Sequence, residues 1–152
     1  MLKKLSKKKI ALGLLALLLL FQLFRIDKTI KPVDPNTDMI SILKPDSEVV
    51  SILKISCYDC HSDQPTYPWY TNIAPVSWWI KHHINEGSHH LNFSAWGNYS
   101  QKKKDHKLEE CIEMVEGGEM PMTSYTLIHK QANLSKQQQA LLINWFKSIK
   151  GS

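Results

Sequence analysis

Residues 57–61 read Cys57-Tyr58-Asp59-Cys60-His61, and no other stretch of the chain narrows its possible architecture so far. Two thiols separated by two residues can each add across a vinyl group of haem, and the imidazole that follows then reaches one face of the iron. The C-x-x-C-H pentad therefore predicts one covalently attached haem c, with Cys57 and Cys60 as thioether sites and His61 as the proximal iron ligand. A chain built around such a cofactor must wrap apolar side chains over a large planar ring.

The 152 residues suffice for one ordinary domain with its own core. A formal charge of +5 invites a nucleic-acid reading, but the charge is unevenly placed. Six of the 19 basic residues (Lys3, Lys4, Lys7, Lys8, Lys9 and Arg25) lie in the first 26 positions, which hold no acid; the remaining 13 face 14 acids. The folded part has no net pull on a phosphate backbone, so no nucleic-acid partner is expected.

Behind the lysines, Ile10 to Phe24 is nearly unbroken apolar sequence. It predicts an uncleaved anchor over 1–26 rather than a removed signal, because Leu23-Phe24-Arg25-Ile26-Asp27 offers no small-residue cleavage site. On that reading the protein passes once through a membrane, with the positive flank in the cytoplasm and the domain behind it exported. Residues 27–45, with Pro32, Pro35 and Pro45, read as an extended linker, and 46–150 as the haem domain.

That domain is predicted to be all-α. Asp46 can cap a helix carrying Val49, Val50, Leu53 and Ile55 straight into the pentad. A second helix starts at Pro75 and stops at Gly87, and a third covers Asp105 to Glu116 and ends at Gly117-Gly118. The last begins at Ser135, where Ser135 and Gln138 make a capping box, and buries Leu141, Leu142, Trp145, Phe146 and Ile149.

The free axial position of the iron decides between electron transfer and reactivity. Met120 and Met122, in Gly117-Gly118-Glu119-Met120-Pro121-Met122, supply soft thioethers between the last two helices. Met120, stiffened by Pro121, is the expected distal ligand, with Met122 the alternative. His129 leads the imidazole alternatives. His82, His83, His89, His90 and His106 read as surface residues, with His83 a partial exception four residues after Trp79 on the apolar stripe, and Cys111, on a stripe with Leu108, Ile112 and Val115, as a small buried apolar residue. The aromatics from Tyr67 to Tyr99 are expected to line the haem pocket.

Together, Cys57-x-x-Cys60-His61-Ser62, Pro68-Trp69-Tyr70, Pro75-Val76-Ser77-Trp78, Leu91-Asn92-Phe93-Ser94-x-Trp96 and Met120-Pro121 with Tyr125 and His129 resemble the single-haem "haem-binding domain" family, over roughly 49–146. The resemblance implies a cytochrome-c-like helical domain, bacterial, exported and frequently membrane-anchored, which with the anchor over 1–26 means a single pass through the inner membrane and a haem domain on the periplasmic side. It also implies haem c on Cys57 and Cys60, with His61 proximal and Met120 distal. The functional expectation is a membrane-tethered electron carrier, not an enzyme, serving redox partner proteins at the membrane. The alternative is a peroxidase-like enzyme or a gas or redox sensor, in which His129 or Tyr125 acts at a labile distal site. A thiol oxidoreductase lacks its βαβ context here, and a zinc site lacks a second ligand cluster.

Overall fold

The computed structural model describes residues 6–151. Its α-helices are α1 (Lys7–Phe21), α2 (Met39–Leu43), α3 (Ser47–Ser56), α4 (Tyr58–His61), α5 (Val76–His90), α6 (Gln101–Glu116), α7 (Thr123–Thr126) and α8 (Lys136–Ser148). Three short 3-10 segments accompany them, and the described residues contain no strand, as an all-α fold requires. Two compact units divide the chain: one holds the residues up to Thr29 with Thr66–His83, the other Ile30–Pro65 with Ile84 onward.

The first unit corrects the expected membrane anchor. Helix α1 has 15 residues, which at 1.5 Å per residue span about 22 Å, well short of the roughly 30 Å of a hydrocarbon layer. No helix among the described residues is long and apolar enough to cross a membrane. The single inner-membrane pass, and the periplasmic placement drawn from it, therefore lose their basis. Lys3 and Lys4 of the basic cluster lie outside the described residues. The apolar run ends at Gln22 in a two-way amide pairing with Ala74: Nε2 donates to its carbonyl at 3.0 Å, and Oε1 accepts from its N–H at 3.0 Å. Phe21 packs against Trp78 with ring centroids 5.0 Å apart, and the Trp78 indole donates to the Phe24 carbonyl at 2.7 Å.

The second unit carries the main core. α6 packs on α8, and α3 packs on α8. Leu53, Phe93, Leu108, Leu142 and Phe146 are almost completely buried between them. The capping box at the start of α8 forms as the sequence predicts, with Ser135 accepting from Gln138 N–H and Gln138 from Ser135 N–H. Asp46 occupies the N-cap of α3 without a side-chain bond, and α6 starts four residues earlier than expected, behind Ser100. Gly118, at φ +72°, ends α6 in the left-handed conformation that glycine adopts at no steric cost.

Within the stretch expected as an extended linker, α2 forms and Met39 is fully buried. Asp38 caps α2 through Ser41 N–H at 3.0 Å, and its other oxygen accepts from the Tyr58 hydroxyl at 3.1 Å in the interior. That bond ties the segment to the pentad itself.

Gly87 does not stop α5, which continues to His90. A Cβ at Gly87 would meet the Cys60 carbonyl oxygen at 2.7 Å and the Cys60 Cβ at 3.1 Å, so the glycine is there to let α5 lie against the pentad. Gly87→Ala should accordingly cost about 1–3 kcal/mol through overpacking, despite alanine's better helix propensity. Chemical denaturation of the two proteins checks this, and an unchanged or raised stability would show that the contact relaxes freely.

Candidate functional site

The pentad is shaped by a change of direction. α3 ends at Cys57, whose backbone (φ −128°, ψ −43°) leaves the helix and starts the single turn of α4. The Cys57 carbonyl accepts from Cys60 N–H at 3.2 Å and His61 N–H at 2.9 Å, gathering the three chemical groups on consecutive faces of one turn. The His61 ring is aimed by its neighbour across the site: Nδ1 lies 3.1 Å from the Leu91 carbonyl. Donation there puts the proton on Nδ1 and leaves Nε2 as a bare lone pair, the form a metal takes. Burial holds the imidazole below its ordinary pKa, against the raising effect of backbone hydrogen bonds at Leu91 and Gly87, so it stays neutral. Phe93 fixes the surroundings, 6.1 Å from the His61 ring and stacked on Tyr58 at 5.4 Å.

His61 faces a cavity of about 340 Å³, within the range of small-molecule and cofactor sites. Its apolar wall comes from Leu91, Phe93, Val115 and Phe146, and its sulfur atoms from Cys57, Cys111, Met114 and Met120. Of the two methionines singled out in the sequence, Met120 lines the cavity and Met122 is not among its lining residues; Cys60 is not among them either. Met114 was not anticipated, although it sits three residues after Cys111 on α6 and follows that stripe. Cys111 packs against the core as its stripe predicts and lines the cavity as well.

All three cysteines are free thiols. Burial pushes Cys57 up to about 12, with Cys111 and Cys60 adding to the effect. It also pushes Cys60 up to about 11, helped by the Asp59 charge, and Cys111 up to about 12, helped by Glu110. A neutral imidazole in an apolar cleft suits iron ligation. Among the described residues no group of three or more His, Cys, Asp or Glu is placed to hold a bare metal ion, which leaves the zinc reading unsupported.

One polar corner interrupts the wall. Glu110 and His90 both line the cavity. Glu110 is held by Lys107 at 2.6 Å, His90 at 3.4 Å and His106 at 3.2 Å. Burial alone would raise the Glu110 carboxyl, but the Lys107 bond and the surrounding cations outweigh it and hold it below the usual carboxylate range. Lys107, whose side chain is only 11% exposed, needs that carboxylate as a counter-charge. Sequence reasoning missed this corner because it joins the end of α5 to the middle of α6, positions with no shared periodicity.

The expected aromatic lining is mostly elsewhere. Phe93 alone of that group lines the cavity; Trp96 is core, while Trp69 and Trp79 are exposed. Tyr125 and His129 are likewise not among the lining residues, and their rings stack on each other at 4.3 Å.

The family model of a haem-binding domain matches residues 16–148, and the chain belongs to that family. No curated protein and no solved structure matches it. The groups that line the cavity include the neutral imidazole of His61, the thiols of Cys57 and Cys111 and the thioethers of Met114 and Met120 on an apolar wall, and imidazole and thioether are donors a haem iron accepts.

With thiol pKa values this high, the haem-free folded protein should react with iodoacetamide at pH 8 on the order of a hundredfold more slowly than the same chain in denaturant. Rapid labelling of Cys57 or Cys111 in the folded chain, followed by peptide mass mapping, would contradict the buried-thiol picture.

Proposed function

We propose that this haem-binding protein is a monohaem c-type cytochrome that carries electrons. The observation that supports this reading best is the convergence of Cys57, His61 and Met120 on one apolar cavity. In this reading Cys57 and Cys60 would hold the haem covalently, each through a thioether to one of its vinyl groups. His61 Nε2 is the proximal ligand, its orientation set by the Leu91 carbonyl 3.1 Å from Nδ1. Met120 Sδ is the distal ligand; a soft thioether favours the ferrous state and raises the potential.

Bound there, the iron supplies one-electron chemistry between its ferric and ferrous states. The residues keep it at that task. Leu91, Phe93, Val115 and Phe146 exclude water, and Met120 occupies the position a small ligand would need. The partner in this reading is a redox protein that docks close enough to exchange an electron.

A second reading has one observation in its favour. His90 and Glu110 in the cavity wall are polar groups that can act on a bound ligand, as a peroxidase-like enzyme or a gas sensor would need. Optical spectra of the holoprotein decide between the two. A ferric band at about 695 nm and no response to CO on reduction are expected for His/Met ligation. Met120→Ala should abolish the band, admit CO and lower the potential by on the order of 100 mV, whereas Met114→Ala and Met122→Ala should keep the band. Ready CO binding by the unaltered protein would favour the enzyme or sensor, and loss of the band in Met114→Ala would move the distal ligand to α6.

A further inference from the structure

Met120 lies in a loop held at both ends. At its start, Glu119 and Met120 N–H groups both donate to the Met114 carbonyl, at 2.9 and 3.1 Å, which fastens the loop to the end of α6. At its finish, the Met122 carbonyl accepts from Tyr125 N–H at 3.0 Å and Thr126 N–H at 3.0 Å, so that α7 and the loop form one hydrogen-bonded piece. The Tyr125 hydroxyl ties that piece directly to the pentad. It reaches two acceptors on the pentad side: the Asp59 carboxylate at 2.7 Å and the Ile55 carbonyl at 3.2 Å. A hydroxyl has one proton, and the shorter, charge-assisted contact takes it. Stacking on His129 at 4.3 Å holds the ring in the orientation this bond needs.

Asp59 stands between the two cysteines. The peptide that would carry the thioethers is therefore the same peptide to which the Met120 loop is bolted. We infer that the Tyr125–Asp59 hydrogen bond is a positioning device that sets the Met120 sulfur over the iron and keeps the cavity closed to external ligands. This deepens the electron-carrier reading and rests on it. Because Tyr125 is not among the cavity-lining residues, its effect runs through the loop rather than through contact with anything bound. Removing the hydroxyl deletes the direct hydrogen bond from α7 to the pentad and loosens the Met120 segment against it.

The test is stopped-flow mixing of the reduced holoprotein with CO, with thermal denaturation in parallel, for Tyr125→Phe, Asp59→Ala, the double variant and Met120→Ala. The expected result is a CO-binding rate at least tenfold above the unaltered protein in Tyr125→Phe and in Asp59→Ala. The double variant should be no faster than the faster single, as for two ends of one bond. Both single variants should also lose intensity near the ferric Met–iron band. A purely structural loss would lower the melting temperature and leave the rate far below it unchanged, and that outcome overturns the inference. So do rate increases that multiply in the double variant. If Met120→Ala binds CO no faster than the unaltered protein, the distal-methionine reading fails on its own. The tie is then still judged by Tyr125→Phe: a faster rate supports it as the closure of the cavity, and an unchanged rate rejects it.

Discussion

The bond between His61 Nδ1 and the Leu91 carbonyl is the contact on which the site depends. It chooses the tautomer, points Nε2 into the cavity and connects the pentad to the segment leading out of α5. Around it the fold makes two further commitments to the same peptide. Asp38 reaches Tyr58 from the chain before the pentad, and Tyr125 reaches Asp59 from the chain after it. Gly87 lets α5 approach until its backbone lies against Cys60. Five consecutive residues are thus gripped from α5, from the α2 segment and from α7. Such over-determination is what preorganised ligation requires, since a ligand that must search for its metal loses affinity and tuning alike.

Most of the helices could be read from the sequence because their signals are local. The Ser135–Gln138 capping box, the Gly117-Gly118 stop and the stripe Leu108–Cys111–Val115 each describe a few neighbouring residues, and each reads the same in the folded chain. The misreadings are those in which a local sign had a non-local cause. Gly87 looks like a helix terminus and is instead a close-approach glycine, which only the position of Cys60 reveals. Residues 39–43 look like spacer because their apolar pattern is too short to register, yet Met39 is fully buried. The apolar run after the lysines has the composition of an anchor, but its helix ends at Phe21 and Gln22 turns to pair with Ala74.

The site was more legible in its motif residues than in its walls. Cys57, His61 and Met120, picked out by motif and spacing, all line the cavity, and Cys60 sits one turn from Cys57. The lining does not follow, because a cavity wall is assembled from one or two residues per element. Of the aromatics between Tyr67 and Tyr99 it is Phe93 that reaches the cavity, whereas the larger indoles of Trp69 and Trp79 lie exposed. The Glu110 corner with His90, His106 and Lys107 has no sequence signature at all, yet it sets a paired carboxylate into the cavity wall.

The central claim is that haem is held by the thiols of the pentad and not merely by the cavity. Intact-mass spectrometry of the acid-denatured holoprotein, produced with haem c maturation machinery, tests it most directly. The account predicts that the full-length chain retains the mass of one haem after denaturation and solvent extraction. It also predicts that a double Cys57→Ala, Cys60→Ala variant retains none, while Cys111→Ala is unaffected. Haem that washes out of the unaltered chain, or stays on the variant lacking both cysteines, would contradict it.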